Sequence, residues 1–207
     1  MGALAAGTGA AMGTGAFTTA SIENRMVTAD VTTDENSRIA LVTGGDPDIY
    51  QGEDGELKME LGGSDGEGIN INSTYTWGDH DDPENHFAFK IVNNEDTSFD
   101  DVVLTYVLDD DSWVDHSTTY SNESFIKFTA YGQGDPDGYW GWLKCPNNQL
   151  STPNPVSRNL PTSGPVDFDV GQELYIVIDV DTTGSLATLA DDLSGSLTID
   201  VTGPGGH

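Results

Sequence analysis

Histidine, cysteine and clustered carboxylates are the side chains of this sequence that could carry chemistry, and their spacing limits what each can do. His80, His86, His116 and His207 do not recur at the HExxH spacing, which sets two imidazoles on one helical face around zinc. Cys145 is the single cysteine and is followed by Pro146. No second thiol exists for an internal disulfide or a cysteine zinc framework, and no nucleophile motif surrounds this one. Acids are so numerous that a pair such as Asp109 and Asp110 says little about glycoside hydrolysis, which needs two carboxyl groups at a defined separation. No convergent set of catalytic groups emerges, and the expectation is a protein that is not an enzyme.

Calcium is the ion that the acidic loops suit, because it takes carboxylate and carbonyl oxygens. The candidate ligands are Asp46 and Asp48 with Glu53 and Asp54, Asp79 and Asp81 with Asp82 and Glu84, and Asp135 with Asp137. None follows the EF-hand spacing, and a solvated acidic surface accounts for the same residues. Tyr139-Trp140-Gly141-Trp142 offers flat aromatic area that serves equally as a sugar-stacking platform, an interface anchor or a cover over the edge of a core. Asn72-Ser73-Thr74 and Asn122-Glu123-Ser124 have the N-glycosylation pattern.

The elements that must position these groups are strands. Val27, Ala29 and Val31 alternate with Thr28 and Asp30, giving an extended segment one apolar and one polar face. Further strands are expected at 38–43, 57–61, 69–77, 87–92, 102–108, 125–130, 174–180 and 197–201. Turn-forming clusters separate several of them: Gly44-Gly-Asp-Pro-Asp48, Gly62-Gly-Ser-Asp-Gly66, Gly78-Asp-His-Asp-Asp-Pro83 and Asn93-Asn-Glu-Asp96. Such punctuation fits an all-β fold, a single jelly-roll-like or Ig-like antiparallel β-sandwich with long acidic loops. Phe87, Phe89 and Ile91 are expected on one face, with Lys90 on the other. Gly132 to Pro165 holds six prolines and reads as a long surface excursion, while Leu186, Leu189, Ala190 and Leu193 have helical spacing.

Charge sets the solvent. With 35 acidic against 7 basic residues, the formal net charge is −28, and self-repulsion opposes compaction in dilute buffer. The Debye length falls to about 3 Å at 1 M salt, so a folded chain this acidic suits the concentrated brine of an extreme halophile. The same balance excludes nucleic acid as a partner, since few cations are present to neutralise phosphates.

Residues 1–15 read as a signal peptide remnant or export segment. Met1 to Ala16 is uncharged and consists almost wholly of small and apolar residues, with Gly13, Gly15 and Ala16 near its end. The stretch is shorter than the roughly 20 apolar residues of a membrane-spanning helix, and a disordered tail would share its composition. The mature chain is therefore expected outside the cell and not spanning the membrane.

Gly13-Thr-Gly-Ala-Phe-Thr-Thr-Ala-Ser-Ile-Glu-Asn-Arg-Met-Val-Thr-Ala-Asp-Val31 resembles the start of mature members of the TasA and camelysin family and its relatives in halophilic archaea. Phe89-Lys-Ile-Val-Asn-Asn94, Ile178 to Gly184 and Leu193 to Val201 resemble the family's later strands more loosely. The resemblance implies a jelly-roll-like β-sandwich that polymerises head to tail into a pilus or matrix fibre, contacting neighbouring filaments or the cell surface. It also implies donor-strand complementation, in which the N-terminal segment of one subunit completes the sheet of the next. Residues 16–32 would then be the donor segment, with Ala16, Phe17, Ile22, Val27, Ala29 and Val31 as anchors, and residues 33–207 the sandwich. The same alternation serves a strand that pairs within its own domain. A monomeric secreted surface module binding glycan or calcium is the alternative function.

Overall fold

The structure is a computed structural model that describes residues 26–30, 39–52, 57–61, 69–114, 124–133, 139–145, 156–160, 167–184, 187 and 194–202. Twelve strands appear among these residues: β1 (Met26–Asp30), β2 (Ile39–Thr43), β3 (Ile49–Gln51), β4 (Leu57–Glu60), β5 (Thr74–Trp77), β6 (Phe89–Asn93), β7 (Asp101–Leu108), β8 (Phe125–Gly132), β9 (Tyr139–Cys145), β10 (Val156–Asn159), β11 (Glu173–Asp181) and β12 (Gly195–Thr202). They form two sheets. One has the order β10-β7-β12-β1-β4-β3. The other runs β2-β6-β11-β8-β9, with β5 also paired to β11. Among the described strands every pairing is antiparallel except β1 with β12. The chain is all-β, a sandwich of two packed sheets.

Alternation explains most of the elements. Along β7, Val102, Leu104, Tyr106 and Leu108 are buried while Asp101, Val103, Thr105 and Val107 are half-buried, the period of two expected where a sheet has one face inward. β11 is apolar on both faces from Leu174 to Ile178, and all five residues are buried. It is central in its sheet, and further residues cover its outer side. Inward-facing residues of both sheets make the main core, and Tyr106 of β7 meets Phe128 of β8 across it with ring centroids 5.1 Å apart. At one side of the sandwich, Gln51 Nε2 on β3 donates to the Leu41 carbonyl on β2 at 3.0 Å, linking the two sheets through a side chain.

Three expectations change. The segment 132–165 contains β9 and β10, which pair with β8 and β7 respectively, so it is not a surface excursion throughout. No proline falls within either strand, so neither ladder loses a hydrogen bond to one. Strand 69–77 is shorter than expected and begins at Thr74, because Asn72 adopts a positive φ of 58° in the preceding turn. Phe87 does not share the inward face of Phe89 and Ile91. The chain bends at Ala88, and Phe87 packs with Tyr131, Tyr175 and Val177 on the outer side. Residues 1–25, which include the export segment, lie outside the described residues, as do Leu186, Leu189, Ala190 and Leu193, the positions with helical spacing.

Candidate functional site

The strand singled out as a donor sits inside the first sheet. β1 runs antiparallel to β4, placing Val27 opposite Met59, Thr28 opposite Lys58 and Ala29 opposite Leu57. On its other side it runs parallel to β12, with Val27 opposite Gly195, Thr28 opposite Ser196 and Ala29 opposite Leu197. Leu57, Met59 and Leu197, which stand opposite β1, are buried, and the backbone of β1 fills the gap between β4 and β12. Gly195 of β12 packs closely on β7, where a Cβ would lie 2.4 Å from the Val107 carbonyl oxygen and 2.8 Å from the Tyr106 hydroxyl. Without β1, the edges of β4 and β12 would present rows of unpaired donors and acceptors. Ala16, Phe17, Ile22 and Val31, the other proposed anchors, lie outside the described residues.

The acidic candidates divide. Asp46 and Asp79 come from different turns and line one cleft of about 440 Å³ together with Asn85, His86 and Phe87. Asp48 and Asp81 do not line it. Asp46 Oδ1 accepts from the Asp48 amide at 3.0 Å, and Asp79 Oδ1 accepts from the Asp81 amide at 2.9 Å, the Asx arrangement that shapes turns. Asp48 Oδ2 also accepts from Trp77 Nε1 at 3.3 Å. Among the described residues, no three His, Cys, Asp or Glu side chains gather where one metal ion would sit. Glu53, Asp54, Asp135 and Asp137 lie outside those residues.

A histidine cluster that spacing could not reveal lies on the outer face of the second sheet. His80 Nδ1 is 2.6 Å from the Tyr131 hydroxyl and Nε2 is 3.0 Å from both oxygens of Asp179. Asp179 also accepts from Thr76 Oγ1 at 2.9 Å and lies 3.5 Å from Lys127 Nζ. These residues are distant in sequence and meet because β5, β11 and β8 are adjacent. Beside them, Lys90 Nζ donates to both Glu173 oxygens at 2.8 and 2.9 Å, and the Tyr175 hydroxyl donates to Glu173 at 2.6 Å. Phe87 covers Tyr175 with ring centroids 5.4 Å apart. The polar groups thus fasten the 78–88 segment over Tyr131, Tyr175 and Val177.

Cys145 is buried in the core, and burial, aided by the charge of Asp111, pushes its thiol up to about 12. It is a packed thiol and not a thiolate nucleophile. Trp142 is half-buried opposite Thr129, and Tyr139 is paired with Tyr131. Asn72 is exposed in its turn, with the sequon's Thr74 exposed at the start of β5, so this acceptor is open to a modifying enzyme. Asn122 lies outside the described residues. So does Gly62-Gly63-Ser64-Asp65-Gly66, whose GxSxG spelling requires a strand-to-helix turn to act as a nucleophile elbow.

No helix among the described residues is long and apolar enough to cross a membrane. Comparison with protein-family models, with curated proteins and with solved structures finds no match.

Proposed function

We propose that this chain is a non-enzymatic structural subunit of an extracellular filament, a pilus or matrix fibre of a halophilic archaeon, that polymerises head to tail by exchanging β1 between copies. The proposal includes membership of the TasA and camelysin family on the residues quoted above. The observation that carries it is the position of β1 as a central strand, joined to the rest of the chain through residues 31–38. That connection reaches on the order of 30 Å when extended, while packed sheets stand only about 10 Å apart. The connection is long enough for β1 to leave its own slot and enter another. An identical strand from a second copy restores the same ladder bonds, so exchange is close to neutral in backbone pairing. Because donor and acceptor surfaces differ, the contact is head-to-tail and extends without closing.

A disulfide across Thr28 and Lys58 tests this. The two residues are directly opposed on antiparallel strands, a spacing of about 4.5–5.5 Å that a disulfide accommodates. Thr28→Cys/Lys58→Cys, oxidised as a monomer, is expected to stay short of filaments in molar salt by negative-stain microscopy. The reduced variant and the parent chain form them. Equal filament formation by oxidised and reduced protein would remove strand exchange from the proposal. The cleft beside Phe87, with oxygen donors from Asp46, Asp79 and Asn85, supports a second reading as a monomeric secreted module for glycan or calcium. Under it, all three samples remain monomeric.

A further inference from the structure

The sequons Asn72-Ser73-Thr74 and Asn122-Glu123-Ser124 are far apart in sequence, and the fold brings both against the residues that follow β11. Thr182, which is buried, holds the backbone of the first. The Asn72 amide donates to the Thr182 carbonyl at 3.0 Å, the Thr182 amide donates to the Ser73 carbonyl at 2.9 Å, and the Ser73 amide donates to Thr182 Oγ1 at 3.2 Å. Asn72 and Thr74 themselves remain exposed. Asn72 has a φ of 58°, a conformation that asparagine tolerates better than most residues. The second sequon is held in the opposite way. Ser124 is 0% exposed, and its hydroxyl accepts from the Gly184 amide at 2.9 Å. The hydroxyl at the third position, which the N-glycosylation pattern requires, is therefore open in one sequon and enclosed in the other.

We infer that Asn72 is the N-glycosylation site of the folded chain, and that folding closes the Asn122 sequon by burying Ser124. The donor is an oligosaccharide linked through phosphate to a polyprenyl lipid. The Asn72 carboxamide nitrogen bonds to the anomeric carbon of the sugar as the bond from that carbon to the phosphate oxygen breaks. The lipid phosphate leaves with the electron pair, and the amide gives up one proton. A transferase must reach both the asparagine and the hydroxyl two residues on. At Asn72 it meets both on a turn whose backbone is already satisfied. At the other sequon it meets Ser124 only when the start of β8 separates from Gly184, an opening that breaks a buried hydrogen bond. A glycan is bulky and hydrated and needs open surface. At Asn72 it stands beside β5 of the second sheet, whereas the slot of β1 belongs to the first. The assignment rests on export of the chain and not on strand exchange.

Membranes of a halophilic archaeon that glycosylates its own surface protein supply both the transferase and the lipid-linked donor for a test. They are incubated in molar salt with the folded chain and, separately, with synthetic peptides spanning 68–78 and 118–128, and the products are mapped by mass spectrometry. Both peptides are expected to be modified, because neither has a fold to enclose its hydroxyl. The folded chain is expected to carry glycan at Asn72, with occupancy of Asn122 lower by roughly ten-fold or more. Asn72→Asp keeps a residue suited to the positive φ, and Thr74→Val replaces only the hydroxyl. Each is expected to abolish the modification, and Asn122→Gln to leave it unchanged. Equal occupancy of the two sequons in the folded chain overturns the inference. So does a folded chain left bare at Asn72 while the 68–78 peptide is modified, or a failure to modify either peptide. Glycan at Asn72 on a chain that forms no filaments would defeat strand exchange alone and leave this assignment standing.

Discussion

Glu173 is held as a carboxylate by its neighbours. Partial burial works to raise its pKa, but hydrogen bonds from Lys90 and Tyr175 and the charge of Lys90 outweigh it, and the group titrates below its ordinary value of 4.5. Burial and the same carboxylate raise the pKa of the Tyr175 hydroxyl, which remains a protonated donor. A depressed carboxylate pKa contributes stability above the unfolded value and loses it as pH falls through the folded one. Glu173→Gln is therefore expected to lower the urea midpoint at pH 7, by about 1 kcal/mol or less because solvent screens a partly exposed pair. The deficit shrinks below pH 4 at constant molar salt. A deficit that does not change with pH would mean that the carboxylate's charge contributes nothing to holding Lys90 and Tyr175.

At the scale of elements, close backbone approach fixes where the 78–88 segment joins the second sheet. Gly44 N donates to the Ala88 carbonyl at 3.0 Å, and a Cβ on Gly44 would fall 1.6 Å from the Phe87 carbonyl oxygen. Gly44→Ala must push β2 away from the start of β6, with an expected loss of about 1–3 kcal/mol in chemical denaturation. Gly45, next along the chain, has φ of 92° and open space around its missing Cβ. Gly45→Ala meets backbone strain alone and is expected to lose roughly 1 kcal/mol. Equal losses at the two positions would show that the approach to Phe87 is not what restricts Gly44. The same scale explains the missed strands. β10 is four residues long and lies between Pro155 and Pro161, and β9 carries Gly141 among its aromatics, so neither shows a clear alternation of apolar and polar residues.

Across the whole molecule, self-repulsion between surface carboxylates works against the cohesion of the core. A charge of −28 on 207 residues is opposed by little internal compensation, and added salt shortens its range from about 10 Å at 0.1 M to about 3 Å at 1 M. The urea or thermal midpoint is expected to rise steadily as NaCl goes from 0.1 M into the molar range. A flat or falling midpoint would locate stability in specific ion pairs such as Lys90 with Glu173, which salt weakens.

The sequence by itself determined that the chain is all-β, where most long strands run, and the acidity to which the fold must be adapted. These follow from period-two alternation, turn-forming residues and charge, which are local or additive properties. Only the tertiary structure decided that β1 lies between β4 and β12, since alternation specifies that a strand has an inner face and not which edges flank it. It also decided the partners of His80. Tyr131 and Asp179 are 51 and 99 residues away in sequence, and no spacing rule spans such separations. The row of Thr76, Asp179, Lys127 and Lys144 across β5, β11, β8 and β9 has the same origin: four strands must be placed in order and in register before these residues stand side by side, and register is a property of the assembled sheet.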